Sequence, residues 1–435
     1  MLPEGWSHQR LGDLVSELES GVSVNGLDRP ATQHEFGVLK ISSVTSGVFD
    51  PAENKAIRAD EIDRAKSNPR ADRIIISRCN TADLLGASAY IEQDHQSLFL
   101  PDKLWQLQPT SEGQICMRWL ANWLAASSTR AEISALATGS SGSMKNIAKE
   151  AFLNLAISVP PVHEQRRIAS VLAVWDQTLA KTESLLHNSR AQWNALLGVT
   201  LHLPSANPEA RVATHNGGFP ASVQPGIPAL PPAPVGWRRT QLRDHLKEVR
   251  RPVKLESGRP YALVTVKRSR GGVALREVLT GKEVKTPSQF HIREGDFLIS
   301  KRQIVHGACG IVPPVLDGAI VSNEYAVLNS DGQIDLRFLR YLSESRYFQQ
   351  TCFHSSIGVH VEKMIFKTER WLRWPFNIPP LPVQQRIVEV LDTARREMDV
   401  IAAQVERLKR EKAALMADLL TGRRRVRDTS TEIAS

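Results

Sequence analysis

Arg302 and Gln303 stand side by side at the end of an apolar run, FLISKRQ. A guanidinium offers parallel N–H donors that match O6 and N7 of guanine, and a glutamine amide matches the donor and acceptor of adenine. Phosphates are held by lysine, arginine and backbone amides. The chain places further groups of these types where apolar runs give way to polar, glycine-bearing turns. In the second half they are Lys267, Arg268 and Arg270 of KRSRGG, then Lys301, His306, Asn323 and His360. In the first half they are Lys40, Ser43, Arg78, Asn80, Thr81, Ser140, Ser141, Ser143 and Lys145. The chemistry expected of them is non-covalent recognition of duplex DNA.

Covalent chemistry finds less support. Adenine methylation needs Asp or Asn before Pro-Pro and an aromatic, whereas the double prolines follow Val159, Leu230, Val312 and Ile378. The Gly281-Lys282 pair is followed by Glu283, not by the Ser or Thr of a phosphate-binding loop. His163-Glu164 opens like a zinc-protease helix, but Arg167 stands where the second histidine belongs, so a surface helix start is expected there. Glu53 and Lys55, with Asp28 or Asp50 upstream, have the spacing of some metal-dependent nucleases, a triplet that arises easily by chance. The expectation is no catalytic residue, no metal and no cofactor in this chain.

The elements that must position the polar groups are written twice. LPEGWSHQRLGDL (2–14) answers APVGWRRTQLRDH (233–245), ADRIIISRCNTADLLGAS (71–88) answers EGDFLISKRQIVHGACG (294–310), and LFLPDKLWQLQP (98–109) answers AIVSNEYAVLNS (319–330). Each later pair reads as an apolar strand entering a loop. PPVHEQRRIASVL (160–172) answers PPLPVQQRIVEVL (379–391), and both open long helical patterns. The 3-4 alternation that follows marks a narrow apolar seam. It comprises Ile168, Leu172, Trp175, Leu179, Thr182, Leu186, Ser189, Trp193 and Leu196, then Ile387, Leu391, Ala394, Met398, Ile401, Val405, Leu408, Lys412 and Leu415. Large and small residues in repeat-equivalent places, Trp175 against Ala394, invite complementary packing. Helices of roughly 35 to 38 residues would run about 55 Å.

The fold class expected is therefore α/β (α+β): two similar globular domains separated by two long antiparallel helices that form a coiled coil, with a pseudo-two-fold internal repeat. Residues 1–159 form the first domain, 160–203 the first helix, 236–378 the second domain, 379–422 the second helix and 423–435 a basic, polar tail. Residues 204–235, with eight prolines, read as an extended linker that supplies reach.

The formal charge of +9 is unevenly spread: residues 236–302 hold 17 Lys and Arg against 7 Asp and Glu, residues 1–160 hold 15 against 19. A polyanionic partner follows for the second half, while the first domain must cluster its cations or borrow phosphate attraction from partner subunits. Four widely spaced cysteines suit neither zinc nor a disulfide framework, and are expected reduced and buried. No apolar run of about 18 residues occurs, and the start MLPEGWSHQR lacks the features of a signal peptide, so a soluble cytoplasmic protein is expected.

With ATGSSGSMKNIAKEAFLNLAISVPPVHEQRRIASVL (137–172), IPPLPVQQRIVEVL (378–391), LKREKAALMADLLTGRRRV (408–426) and the Ser-Arg and Ser-Lys strand ends in view, the chain resembles the specificity subunits of type I restriction-modification systems. The likeness spans nearly the whole chain and lies in the order and spacing of the motifs. It implies two target-recognition domains, each reading half of a bipartite DNA site, on a helical pair that acts as a ruler. The implied partners are double-stranded DNA and two methyltransferase (modification) subunits, with restriction subunits possible and no membrane. S-adenosylmethionine would sit on the methyltransferases, and ATP and Mg on the restriction subunit. In the second copy SSIGVHVEKM (355–364) stands where the first has TGSSGSMKNI. Two alternatives stay open: a stand-alone or phase-variable DNA-binding specificity protein without an active restriction partner, and a structural coiled-coil adaptor, against which the basic, loop-rich repeat argues.

Overall fold

The computed structural model describes residues 2–138, 144–202 and 219–426. They fall into two compact units: Met1–Ser184 with Ala402–Ser435, and Leu185–Ile401. Each long helix contributes to both.

In the first unit, apolar RIIIS makes Arg73–Ser77 an inner strand, with Ile74, Ile75 and Ile76 fully buried. It pairs antiparallel with Leu104–Pro109 and Ser88–Ile91, and Val15–Ser20 completes a four-stranded sheet. Ser7–Arg10 pairs with Ala156–Val159. The helix Met117–Ala125 seats Trp119 and Leu120 in the core beside Phe152. In the second unit the four-stranded antiparallel sheet runs Leu246–Glu248, Tyr325–Ser330, Phe297–Ser300, Cys309–Ile311. Arg238–Gln241 pairs with Pro375–Ile378. A five-stranded sheet is added there, with Val273–Thr280 at its edge. In both units the run that ends in Ser-Arg or Ser-Lys lies inside its sheet, so its exit loop is held in place.

The glycine before each matching tryptophan takes a left-handed conformation, φ 82° at Gly5 and 81° at Gly236. The tryptophan amides donate back to Pro3 and Pro234, at 3.1 and 3.0 Å.

The long helices are Val162–Thr200 and Leu381–Leu420. All eighteen seam positions are buried or half-buried, whereas Val174 and Val199 off the first seam and Val400 off the second are 62, 73 and 67% exposed. In the first unit Ile168 and Leu172 share a cluster with Leu419 and Leu420, Lys412 donates to Asp176, and Lys409 lies 3.0 Å from Glu183. In the second unit Leu197 and Leu201 share a cluster with Ile387 and Leu391, and the Arg395 guanidinium lies 5.7 Å from the centre of the Trp193 ring. Within each unit, numbers rise along one helix as they fall along its neighbour, so the segments are antiparallel. Trp175 consequently lies beside the Lys412 end of the second helix. Its repeat equivalent Ala394 belongs to the other unit, so the expected packing of that pair does not follow.

Each copy of the Pro-Pro phrase carries a buried glutamine. Gln165 is 1% exposed: its amide donates to the Pro160 carbonyl at 2.9 Å, and its oxygen accepts from the Cys116 amide at 2.8 Å, the cap of helix Met117–Ala125. Gln384 is fully buried, donates to the Pro379 and Gln333 carbonyls at 2.9 Å each, and accepts from the Asp335 amide at 2.8 Å, the cap of helix Leu336–Leu342. Each glutamine fastens the mouth of a long helix to its domain. Gln384→Leu is expected to lower stability by about 2–3 kcal/mol, because a buried amide and carbonyl lose their partners; an unchanged urea midpoint would refute this.

Residues 219–235 lack regular structure but do not behave as a bare linker. Val223 is fully buried, the Phe219 and Phe353 rings meet edge-on with centres 5.6 Å apart, and the Asn377 amide donates to Pro231 at 3.0 Å. This part of the proline-rich stretch is laid on the second unit, a correction to its reading as mere reach; residues 204–218 lie outside the described residues.

The cysteines are free. Cys79, Cys309 and Cys352 are buried, while Cys116 is half-buried, which corrects the expectation for that one. Burial pushes the Cys309 thiol up to about 11 and Cys352 well above the ordinary range. Both the burial and the raised pKa disfavour the reactive thiolate. A thiol reagent should therefore modify Cys116 in the folded protein and reach Cys309 and Cys352 only on unfolding; rapid mapping of label to Cys309 would contradict that. Among the described residues no helix is long and apolar enough to cross a membrane.

Candidate nucleic-acid interface

The hairpin between Pro260–Val266 and Val273–Thr280 turns through Ser269 and Arg270, both left-handed at φ 52° and 56°. Side chains pay for such backbone, so it must be held. Ser269 and Arg270 donate their amides to His306 and Gly307, each at 2.8 Å. The next loop, 301–307, is bound on its other side: Phe366 donates to Lys301 at 2.9 Å, and Lys301 donates to Glu324 at 2.8 Å. Loops 267–272, 301–307, 322–325 and 355–366 are thus hydrogen-bonded into one rim.

On that rim Lys267, Arg268, Arg302, Asn323 and His360 are exposed. Most of its cations meet carboxylates. Lys301 lies 3.1 Å from Glu248, Arg268 2.8 Å from Glu362 and Arg270 3.5 Å from Glu344. Arg302 is held by Glu324 through Nε and, at 3.1 Å, Nη2, and this bonding raises its pKa. Lys267 has no ion-pair partner among the described residues. The basic surplus of residues 236–302 is partly answered by glutamates further along the chain, which a count over that window omits.

Two second-half candidates face inward. The Arg270 side chain is 16% exposed against Glu344, whose pKa burial raises and Arg270 opposes. His306 is 1% exposed, its Nδ1 2.9 Å from Ser222 Oγ and its Nε2 3.2 Å from Glu362. Burial lowers its pKa, Arg268 adds to the lowering and Glu362 opposes it. Gln303 is half-buried, its side-chain oxygen without a partner among the described residues.

The first unit repeats the backbone pattern. Ile147 donates to Arg78 at 3.0 Å, and Arg78 donates to Lys103 at 3.1 Å. Lys145 pairs across with Asn80 on the adjoining strands, so Arg78, Asn80, Thr81 and Lys145 come together. Arg78 Nε donates to the Asp102 carbonyl at 2.7 Å, and its guanidinium lies 5.9 Å from the centre of the Trp105 ring. Thr81 is exposed. Lys40 lies 3.7 Å from Glu53, whose pKa is lowered by Ser42 and then Lys40.

Three expected loop-tip readers are buried, a correction to their placement at exposed tips: the side chains of Asn80 and His306 are bonded within the fold, whereas Ser43 Oγ has no hydrogen-bond partner among the described residues. Ser43 is fully buried in a short 3-10 turn beside Val44. Asn80, 9% exposed, donates to Ser77 Oγ and accepts from the Thr81 amide. His306 is the third. Ser140, Ser141 and Ser143 lie outside the described residues.

The enzyme-like motifs resolve otherwise. Lys55 lies 2.9 Å from Asp28, Glu53 accepts from Ser42, and among the described residues no group of three or more His, Cys, Asp or Glu could hold a metal. Glu164 is 3% exposed, not on the surface: it accepts from Trp6 at 3.2 Å and from Arg425 Nε and Nη2 at 3.1 and 2.8 Å. It ties the end of the second long helix to the start of the chain. Sequence reasoning missed Glu324, Glu362 and the two glutamines.

Comparison with known proteins gives this geometry a context. The family model "Type I restriction modification DNA specificity domain" matches residues 3–187. The type I restriction enzyme EcoEI specificity subunit of Escherichia coli is 24% identical over 188 residues, 42% of this chain and 32% of that relative, so the match spans about a third of its length. The type-I restriction-modification system S subunit from M. genitalium has a TM-score of 0.57 at 13% identity, covering 97% of this chain and 98% of that one. A chain from a structure of complex assembly and conformational transition of the type I R-M system has a TM-score of 0.53 at 19% identity, covering 97 and 99%. Residues 3–187 are therefore similar in sequence to the type I restriction modification DNA specificity domain, and the chain shares its fold with the M. genitalium S subunit over nearly its whole length.

Proposed function

We propose that the chain is the DNA-specificity subunit of a type I restriction-modification complex: a non-catalytic reader of a bipartite site that presents it to adenine-N6 methyltransferase subunits. Its two target-recognition domains form an internal pseudo-two-fold repeat, and the long helices, paired as an antiparallel coiled coil, set the gap between half-sites. Two modification subunits dock on it and carry S-adenosylmethionine; restriction subunits, where they join, carry ATP and Mg. The complex works in the cytoplasm, where the duplex is.

The observation that supports this best is one backbone device with two sets of side chains. The same amide-to-carbonyl bonds hold Arg78 beside Lys103 in one unit and Lys301 beside Glu324 in the other. A shared scaffold with different tips suits reading two different half-sequences, since phosphate contacts position and base contacts specify. The reading residues are then Arg78, Thr81 and Lys145, with Lys40 toward phosphate, in the first domain, and Lys267, Arg268, Lys301, Arg302, Gln303, Asn323 and His360 in the second.

Exchanging residues 236–378 for the corresponding segment of a relative should change one half of the methylated site and leave the other half intact. Mapping methylated adenines in a host carrying the hybrid and its methyltransferase tests this. Change in both halves would refute the division of labour.

A further inference from the structure

We propose that Arg302 reads a guanine in the second half-site and that Glu324 is the positioning residue that aims it. This rests on the reading of the preceding subsection and adds which edge of the guanidinium meets the base and what holds it there.

A guanidinium has a side edge, Nε with Nη2, and an end edge, Nη1 with Nη2. Glu324 takes the side edge: Nε donates to Oε2, and Nη2 donates to Oε1 at 3.1 Å. The end edge stays open, with Nη1 lacking a partner among the described residues. That edge carries the two parallel donors that fit O6 and N7 of guanine. At two other arginines a carboxylate closes that edge. Arg29 gives Nη1 and Nη2 to Glu35 at 2.7 Å each, and Arg251 gives the same pair to Asp296 at 2.7 and 3.0 Å. Those arginines are spent on the fold.

Side-edge pairing also occurs at Arg337 with Asp335 and at Arg425 with Glu164. Arg337 opens the helix Leu336–Leu342 and Arg425 follows the second long helix, so neither stands on a strand-end rim. Arg302 does, in loops fixed to each other by the Lys301 amide bond to the Glu324 carbonyl. The two side chains are 51 and 45% exposed, open to a ligand. A flexible arginine loses rotamer freedom when it meets a base, and a carboxylate that holds it beforehand removes part of that cost. In the first unit the matching amide bond brings Lys103 beside Arg78, and the residue after Arg78 is the buried Cys79. No such pair can form there, so the device belongs to one half-site.

The test uses the full-length chain with its methyltransferase partner. Methylated sites are first mapped for the unaltered protein, and methylation rates are then measured on duplexes in which each base pair of that site is replaced in turn. R302A and R302K should lower discrimination for guanine at one position of one half-site by roughly 5- to 150-fold, R302K while keeping the charge. E324Q and E324A should lower it at the same position by a smaller factor. Unaltered discrimination in R302K and R302A, with assembly intact, overturns the proposal. Equal gain of activity on every duplex in E324Q would mean that Glu324 only neutralises Arg302 and would overturn its positioning role, as would a change at some other base pair. If the unaltered complex methylates no split site, the preceding reading falls and takes this one with it.

Discussion

Leu391→Asp is expected to unfold the second unit. Leu391 is fully buried in one cluster with Leu197, Ile387, Phe338 and Phe348, where the second long helix meets the first and the helices of the domain. The side chains that surround it in that cluster are aliphatic and aromatic. Desolvation together with the lost leucine contacts should cost roughly 4 kcal/mol or more, a large share of the about 5–15 kcal/mol that holds a folded domain together. Two variants of the same helix separate this from damage of any kind. Leu391→Met conserves volume and should cost less than about 1.5 kcal/mol. Val400→Asp, at a position 67% exposed, should stay within about 0.5 kcal/mol. Urea unfolding monitored by tryptophan fluorescence reads all three, and a Leu391→Asp midpoint near that of Val400→Asp would refute the seam as a structural element.

The seam was legible because the helical period repeats for many turns, and one repeated signal survives any local ambiguity. Strand-to-loop junctions were legible for a similar reason: RIIIS and FLIS have nowhere to go but the inside of a sheet. What the period could not carry was partnership across space. Equivalence in the repeat suggested Trp175 against Ala394, but in antiparallel helices equivalent positions run away from each other. Polarity misled at Ser43, Asn80 and His306, since a polar side chain buried inside the fold reads the same in one dimension as one at a loop tip. Glu324 and Glu362 went unseen because attention to cations omitted the carboxylates that restrain them. Gln165 and Gln384 stood inside the quoted phrase and were passed over for its prolines, since a single glutamine carries no pattern of its own.

Four residues inserted into each long helix should widen the methylated site by about two base pairs and leave both half-sequences as they were. The ion pairs of the first unit show where to cut: between Asp176 and Glu183 in one helix, and between Lys409 and Lys412 in the other. Four residues are slightly more than one turn, so the apolar stripe continues nearly in line. They add about 6 Å at about 1.5 Å per residue, against about 3.4 Å for each step along one strand of the duplex. Insertion into one helix alone would set Asp176 against Lys412 in conflict with Glu183 against Lys409, and should cost assembly instead of changing the gap. The outcomes separate the ideas. A doubly extended protein that keeps the original gap removes the ruler, whatever the half-sites do. If the half-sequences change with the gap constant, the insertion has acted on the reading domains and the helices have no part in spacing. Only a wider gap between unchanged halves agrees with a helical pair that measures distance while the strand-end loops read the bases.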